Sequence, residues 1–227
     1  MQTDSVTSLL GGARAYGAHS GPNAILKTLA DCTSEEWHHG RTWYRLAHRF
    51  CKKVAALTGK DPDTVAAVIA RLSPRVSWAD NKIAALEICG NGAGNAAGRC
   101  YPDNVIRAEE IAAANDSATI AAQVLPMKGY KRPKISAFYR NITEPNCPQS
   151  VTVDSWAARI WIGDCEAPTL RITAKESVRI QRDYIAAATL CDLLPQELQA
   201  ITWIGAHRIR KESGQRNLFD IGLQFKI

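Results

Sequence analysis

Apolar residues return at helical spacing along most of this chain. Trp43, Leu46, Ala47, Phe50, Val54 and Leu57 form one stripe, opened by the capping box Thr33-Ser34-Glu35-Glu36 and closed by Gly59. Asp61-Pro62 starts a second helix, with an N-cap before a proline at the first helical position. Val65, Val68, Ile69 and Leu72 give its core face. Ser73-Pro74-Arg75 ends it, because proline disfavours helical geometry in the residue before it. Ser77-Trp78-Ala79-Asp80 opens a helix running to about Cys89, and Pro102–Ala114 and Ser117–Val124 read as two short helices. Pro133 leads into Ile135, Phe138, Tyr139 and Ile142. Ala174–Cys191 and Pro195–Lys211 read as long helices, and Asn217–Ile227 alternates like an extended arm. Met1–Pro22 has no firm period, and residues 1–30 are assigned to a partly ordered N-terminal extension. The pattern predicts an all-α protein without internal repeats.

One stretch departs from plain helical periodicity. Ser150-Val151-Thr152-Val153 alternates polar and β-branched residues, which favours an extended approach. Asp154 then stands as an N-cap, and Gly163 is placed to end the helix that follows. An ionised, fixed carboxylate at a helix head suits stabilising a developing cation or taking a proton. From this stretch alone a plain cap is the commoner case, because capping aspartates outnumber catalytic ones.

Composition narrows the classes. The chain has 227 residues, 46% hydrophobic and 22% charged, an ordinary globular balance. No apolar run approaches the ~20 residues of a membrane span. Met1–Pro22 lacks the apolar core and basic start of a secretory leader. Seven cysteines, with no Cys-x-x-Cys pair, fit a reduced cytoplasmic setting better than a disulfide framework or a metal site. The expectation is no metal and no cofactor. The net charge of +6 permits a polyanion partner. The charge is most one-sided around Lys128, Gly129, Tyr130, Lys131, Arg132 and Lys134, where no acidic residue falls between Asp116 and Glu144. Gly92–Ala97 spells Gly-x-Gly-x-x-Ala, but it follows a helix rather than a strand, so a loop is the better reading.

Four stretches together resemble the helix-hairpin-helix DNA glycosylase superfamily, most nearly its endonuclease III-like branch. They are Val68–Arg75 with Asn81–Ala84, Gly129–Lys134, Val151–Arg159, and Leu194–Leu198 through Trp203–Arg208. The third is similar to the family's x-x-Val-Asp-Thr-His-x-x-Arg. The resemblance covers roughly Asp61–Lys211. It implies two helical lobes with an interlobe cleft: residues 61–142 as a central lobe, and 31–60 with 150–227 as a second lobe built from both chain ends. It also implies a monomer that flips a nucleotide out of duplex DNA and cleaves its glycosidic bond with Asp154. Lys134 becomes a candidate amine nucleophile. Ser73, Arg75, Tyr130 and Trp156 become candidate substrate contacts, and Lys128, Gly129, Lys131, Arg132 and Arg159 candidate DNA contacts.

Several positions depart from the family. The glycine-rich hairpin keeps one glycine in Leu125-Pro126-Met127-Lys128-Gly129-Tyr130. The lyase branch has its lysine 18 residues before the aspartate, where this chain has Ser136, and Lys134 lies 20 before. The glutamine of the family's Leu-Ser-x-Gln helix end falls on Arg75, and no cysteine follows Cys191 to hold the iron–sulfur cluster of many members. These departures leave two alternatives. One is a relative of the bacteriophage thymine-hypermodifying enzymes, the alpha-glutamyl/putrescinyl thymidine pyrophosphorylases or amino-acid:DNA transferases, which would place a phage-encoded enzyme in the host cytoplasm. The other is a non-enzymatic DNA-binding protein on the same scaffold.

Overall fold

The computed structural model describes residues 20–91, 96–125, 133–168 and 170–212. Among these residues the regular structure is entirely α-helical. The helices are α1 (Pro22–Ala30), α2 (Ser34–Thr58), α3 (Pro62–Leu72), α4 (Trp78–Asn91), α5 (Ala96–Arg99), α6 (Pro102–Ala114), α7 (Ser117–Val124), α8 (Pro133–Thr143), α9 (Ser155–Ile162), α10 (Ala174–Leu190) and α11 (Pro195–Glu212). No helix among the described residues is long and apolar enough to cross a membrane. The Gly-x-Gly-x-x-Ala string lies mostly in the undescribed 92–95, between the end of α4 and the short α5.

The chain divides into two compact units. One takes the described residues up to Trp43 and from Cys147 onward. The other takes Tyr44–Asn146. The division falls inside the 25-residue α2, so Ser34–Trp43 and Tyr44–Thr58 serve different cores.

In the first unit, Ile25 and Leu29 of α1 join Val151, Val153, Ile160, Trp161, Ile180, Tyr184, Leu198 and Ile201 in one buried cluster. α1 falls within residues the sequence pattern assigned to the N-terminal extension. Nine residues are too few to make a helix persist alone. Its stability comes from tertiary packing: Ile25 and Leu29, one turn apart, are buried, and the Gly21 N–H donates to Trp161 O at 2.7 Å. Gly21 has φ +76°, a conformation glycine adopts without strain.

The predicted box at Thr33 is present and has a second use. Glu36 accepts from Thr33 N at 2.8 Å, while Glu36 N donates to Thr33 Oγ1 at 3.3 Å. The same carboxylate takes Arg208 Nε at 2.8 Å, and Arg208 Nη2 reaches Asp31 O at 2.7 Å. Burial pushes the Glu36 carboxyl up. The hydrogen bonds from Arg208 and Thr33 outweigh it and hold the pKa below the usual carboxylate value. One side chain therefore ends the α1–α2 turn and ties it to α11. Two glycines permit the close approach. A Cβ on Gly205 would strike Cys32 Sγ, and one on Gly40 would meet the backbone N and Cα of Ile201 at 2.5 Å.

The second unit is built around α3. Every residue from Thr64 to Leu72 is buried, because α4, α6, α7 and α8 pack around that helix. Asp61 caps it, accepting from Asp63 N at 2.8 Å. Burial reaches Arg71 as well, which is 1% exposed, and no acceptor among the described residues meets its Nε or Nη1. Cys51 and Cys89 are buried, and loss of solvent pushes their thiols up to about 12 and about 11, so neither is a ready thiolate. All seven cysteines are unbridged.

The glycine contacts generate a stability test. Gly40→Ala should destabilise the protein by about 1–3 kcal/mol or more, since backbone rather than a flexible side chain opposes the added methyl. Gly90→Ala, whose Cβ would meet only Thr58 Cγ2 at 3.7 Å, should be neutral or slightly stabilising. Urea denaturation of both variants measures the contrast.

Candidate functional site

Asp154 is the N-cap of α9. Its backbone is extended, at φ −110° and ψ −174°. Val151 and Val153, buried before it, anchor the approach in the core. Oδ1 accepts from Trp156 N at 3.0 Å and Ala157 N at 2.8 Å. Among the described residues no donor reaches Oδ2. The carboxylate is thus fixed through one oxygen and uncommitted through the other. Gly163, at φ 77°, closes α9 in the left-handed region as its position predicts.

The rest of α9 projects Trp156 and Arg159 one turn apart. Arg159 is buried and its Nε donates to Ala167 O at 2.8 Å. That carbonyl is positioned by a turn in which Asp164 Oδ1 accepts from Glu166 N and Ala167 N at 2.9 and 3.0 Å. The Arg159 guanidinium lies 4.8 Å from the centroid of the Trp156 ring. Arg210 of α11 lies 5.5 Å from the same ring.

His207 completes the cluster. Its ring stacks at 3.8 Å on Trp156, tilted by 45°, and meets Trp203 edge-on at 4.6 Å. Burial, with Arg159 and Arg210 nearby, drives its pKa down to about 3, so the ring is neutral at ordinary pH. Its Nε2 is buried and meets no hydrogen-bond partner among the described residues. Burial also lowers the pKa of Arg159; Arg210 adds to the effect and the Asp154 charge opposes it. A carboxylate, two guanidiniums, an indole and a neutral imidazole therefore share one region of the first unit. The carboxylate can take a proton or stabilise a cation, the rings can stack on a flat ligand, and the guanidiniums favour anions.

Of the residues selected from the sequence, Asp154, Trp156 and Arg159 come together here. Ser73, Arg75 and Lys134 belong to the second unit. Ser73 Oγ donates back to Ala70 O at 2.9 Å, closing the end of α3. Arg75 is exposed, with φ +58° in the turn after that helix. Lys134 is half-buried in the first turn of α8. Lys128, Gly129, Tyr130, Lys131 and Arg132 lie outside the described residues. Among the described residues, no group of three or more His, Cys, Asp or Glu is placed to hold a metal.

Trp203, His207 and Arg210 were not among the residues selected from the sequence. A signal was present: Trp203, His207 and Arg210 stand at i, i+4 and i+7 and so share one face of α11.

Residues 15–211 match a family model described as "Family of unknown function (DUF7178)". The chain belongs to that family. The match takes in all of α9 and ends at Lys211 in α11, so it contains the whole cluster. No curated protein and no solved structure matches the chain.

The desolvated histidine makes stability depend on pH with a definite sign. Well above pH ~6.5, His207 is neutral whether folded or unfolded and contributes no slope. Below that, unfolded chains bind a proton that the native site refuses down to about 3, so stability falls as pH falls. Between pH 7 and pH 5 this group should account for about 2 kcal/mol of lost stability. In urea denaturation at the two pH values, His207→Phe should lose that much less than wild type. Equal losses would show that His207 titrates normally.

Proposed function

We propose that this DUF7178 protein acts on a base in DNA, as a glycosylase-like enzyme with Asp154 as its catalytic carboxylate. The observation that carries the reading is the state of that carboxylate: Oδ1 is fixed by two backbone N–H groups and Oδ2 is left uncommitted. As the bond between sugar and base breaks, the sugar gains positive charge. A fixed anion stabilises that charge without reorganising, and its spare oxygen can orient or deprotonate the attacking water. Trp156 supplies an aromatic surface beside it for a flipped base. The four-part sequence resemblance supplies the substrate class.

A second reading has one observation in its favour. Arg159 lies close enough to Asp154 for their charges to interact, and Arg210 adds a second positive charge beside Arg159 and Trp156. That field suits a substrate whose base carries or releases an anion. In a hypermodifying transferase, an amine would attack a methylene carbon on the base. A C–N bond would form, a C–O bond would break, and a phosphate anion would leave. Asp154 would take the proton from the amine.

Mass spectrometry of nucleosides and free bases separates the two. Wild-type protein incubated with modified DNAs should release free base if it is a glycosylase. With an amine donor it should add mass to an intact nucleoside if it is a transferase. Under either reading Asp154→Asn should keep the melting temperature near wild type, because Asn caps about as well as Asp. Turnover should fall by ~10²-fold or more. Full activity in Asp154→Asn would reduce Asp154 to a helix cap.

A further inference from the structure

The second half of α2 carries a concentration of positive charge that no chemistry so far uses. Arg45, Arg49, Lys52 and Lys53 are all exposed. They stand at i, i+4, i+7 and i+8, so they share one helix face over about 12 Å. No acidic residue occurs from residue 37 to residue 60. Among the described residues no carboxylate pairs with Arg49, Lys52 or Lys53. Arg45 is steadied by a 3.4 Å hydrogen bond from its Nε to Asn146 Oδ1. Beside this row, Lys82 of α4 holds its Nζ 5.9 Å from the centroids of both Phe50 and Trp78, two half-buried rings in edge contact.

The arrangement costs helix stability. Like charges one turn apart repel, and a surface made soluble by mixed charges avoids that cost. A row of charges also suits a different ligand from a convergent pocket. No ring of donors closes on a single point here. The charges run along a line, as the phosphates of a nucleic-acid strand do at one per ~3.4 Å of axis. A membrane surface fits less well. An interfacial helix needs its apolar face free to insert, and the apolar face of this helix, with Ala47, Cys51, Val54 and Ala55, is buried in the protein's own core.

We propose that Arg45, Arg49, Lys52 and Lys53 form a track for the phosphodiester backbone of DNA, extended by Lys82. The inference rests on DNA being the partner, but it adds a binding surface in the second unit, and its test reads binding without turnover. The probe is a fluorescein-labelled DNA duplex, followed by anisotropy with the full chain between about 50 and 200 mM salt. Four phosphate contacts contribute about 3.6 to the slope of log affinity against log salt. The variant R45Q/R49Q/K52Q/K53Q should bind at least about tenfold more weakly at ~100 mM salt and lose roughly that slope. The control K27Q/R171Q/K175Q/R182Q removes four exposed charges elsewhere and should leave the slope within about one unit of wild type. K52Q/K53Q alone should lose about two units, which keeps the test available if the fourfold variant melts early.

Equal effects of the patch and control variants would overturn the track in favour of bulk charge. So would a wild-type protein with no salt-dependent affinity for the duplex, or a patch variant that loses binding only to anionic phospholipid vesicles. Because Asp154 is untouched, failure of the catalytic reading would show in Asp154→Asn and not here.

Discussion

A carboxylate that caps a helix through one oxygen has one oxygen to spare, and the arrangement around Asp154 follows from that. Two N–H groups at the head of α9 hold Oδ1. They can do so because Val151 and Val153 are buried and set the direction in which the chain arrives. Gly163 then ends α9 after only eight residues. The helix is short enough that Trp156 and Arg159 make up most of the face near Asp154. Capping and chemistry are compatible in one residue because the cap needs an acceptor, whereas the chemistry needs the charge.

The charge around the site is balanced unevenly. Arg159 and Arg210 lie near the Trp156 ring, and the Asp154 and Asp164 charges oppose the cation at Arg159. The imidazole between the two indoles stays neutral because it is buried and because both guanidiniums disfavour a further positive charge. A neutral ring can pack against an indole without the cost of desolvating an ion. The same cations that keep His207 neutral would attract an anionic group on a substrate. This is why the transferase reading stands beside the glycosylase reading.

The scaffold achieves this with close helix contacts. Gly40 lets α2 approach Ile201, and Gly205 lets Cys32 approach α11. Arg208, one position beyond His207, turns instead to Glu36 and Asp31 O. Neighbouring residues of α11 thus take on different tasks, with Arg208 fixing the helix against the α1–α2 turn while His207 and Arg210 face α9.

The sequence alone determined the local events. Thr33, Asp61 and Asp154 read as caps and are caps, and Gly163 reads as a stop and is one, because a cap is decided by the few residues on either side of it. The all-helical class was legible for a similar reason: the 3.6-residue period repeats in segment after segment. Asp154, Trp156 and Arg159 were found because they lie within six residues of one another. Contacts across the chain were not legible. α1 was missed because its stability comes from Trp161 and the buried cluster, more than a hundred residues away, and not from its own nine residues. Arg71 carries a charge, and its burial is decided only by the packing of helices around α3. His207 and Arg210 stand some fifty residues from Asp154. Their neutrality, stacking and field exist only once α11 lies against α9, since burial and Coulomb interaction depend on distance in space, and a sequence specifies that only through the fold.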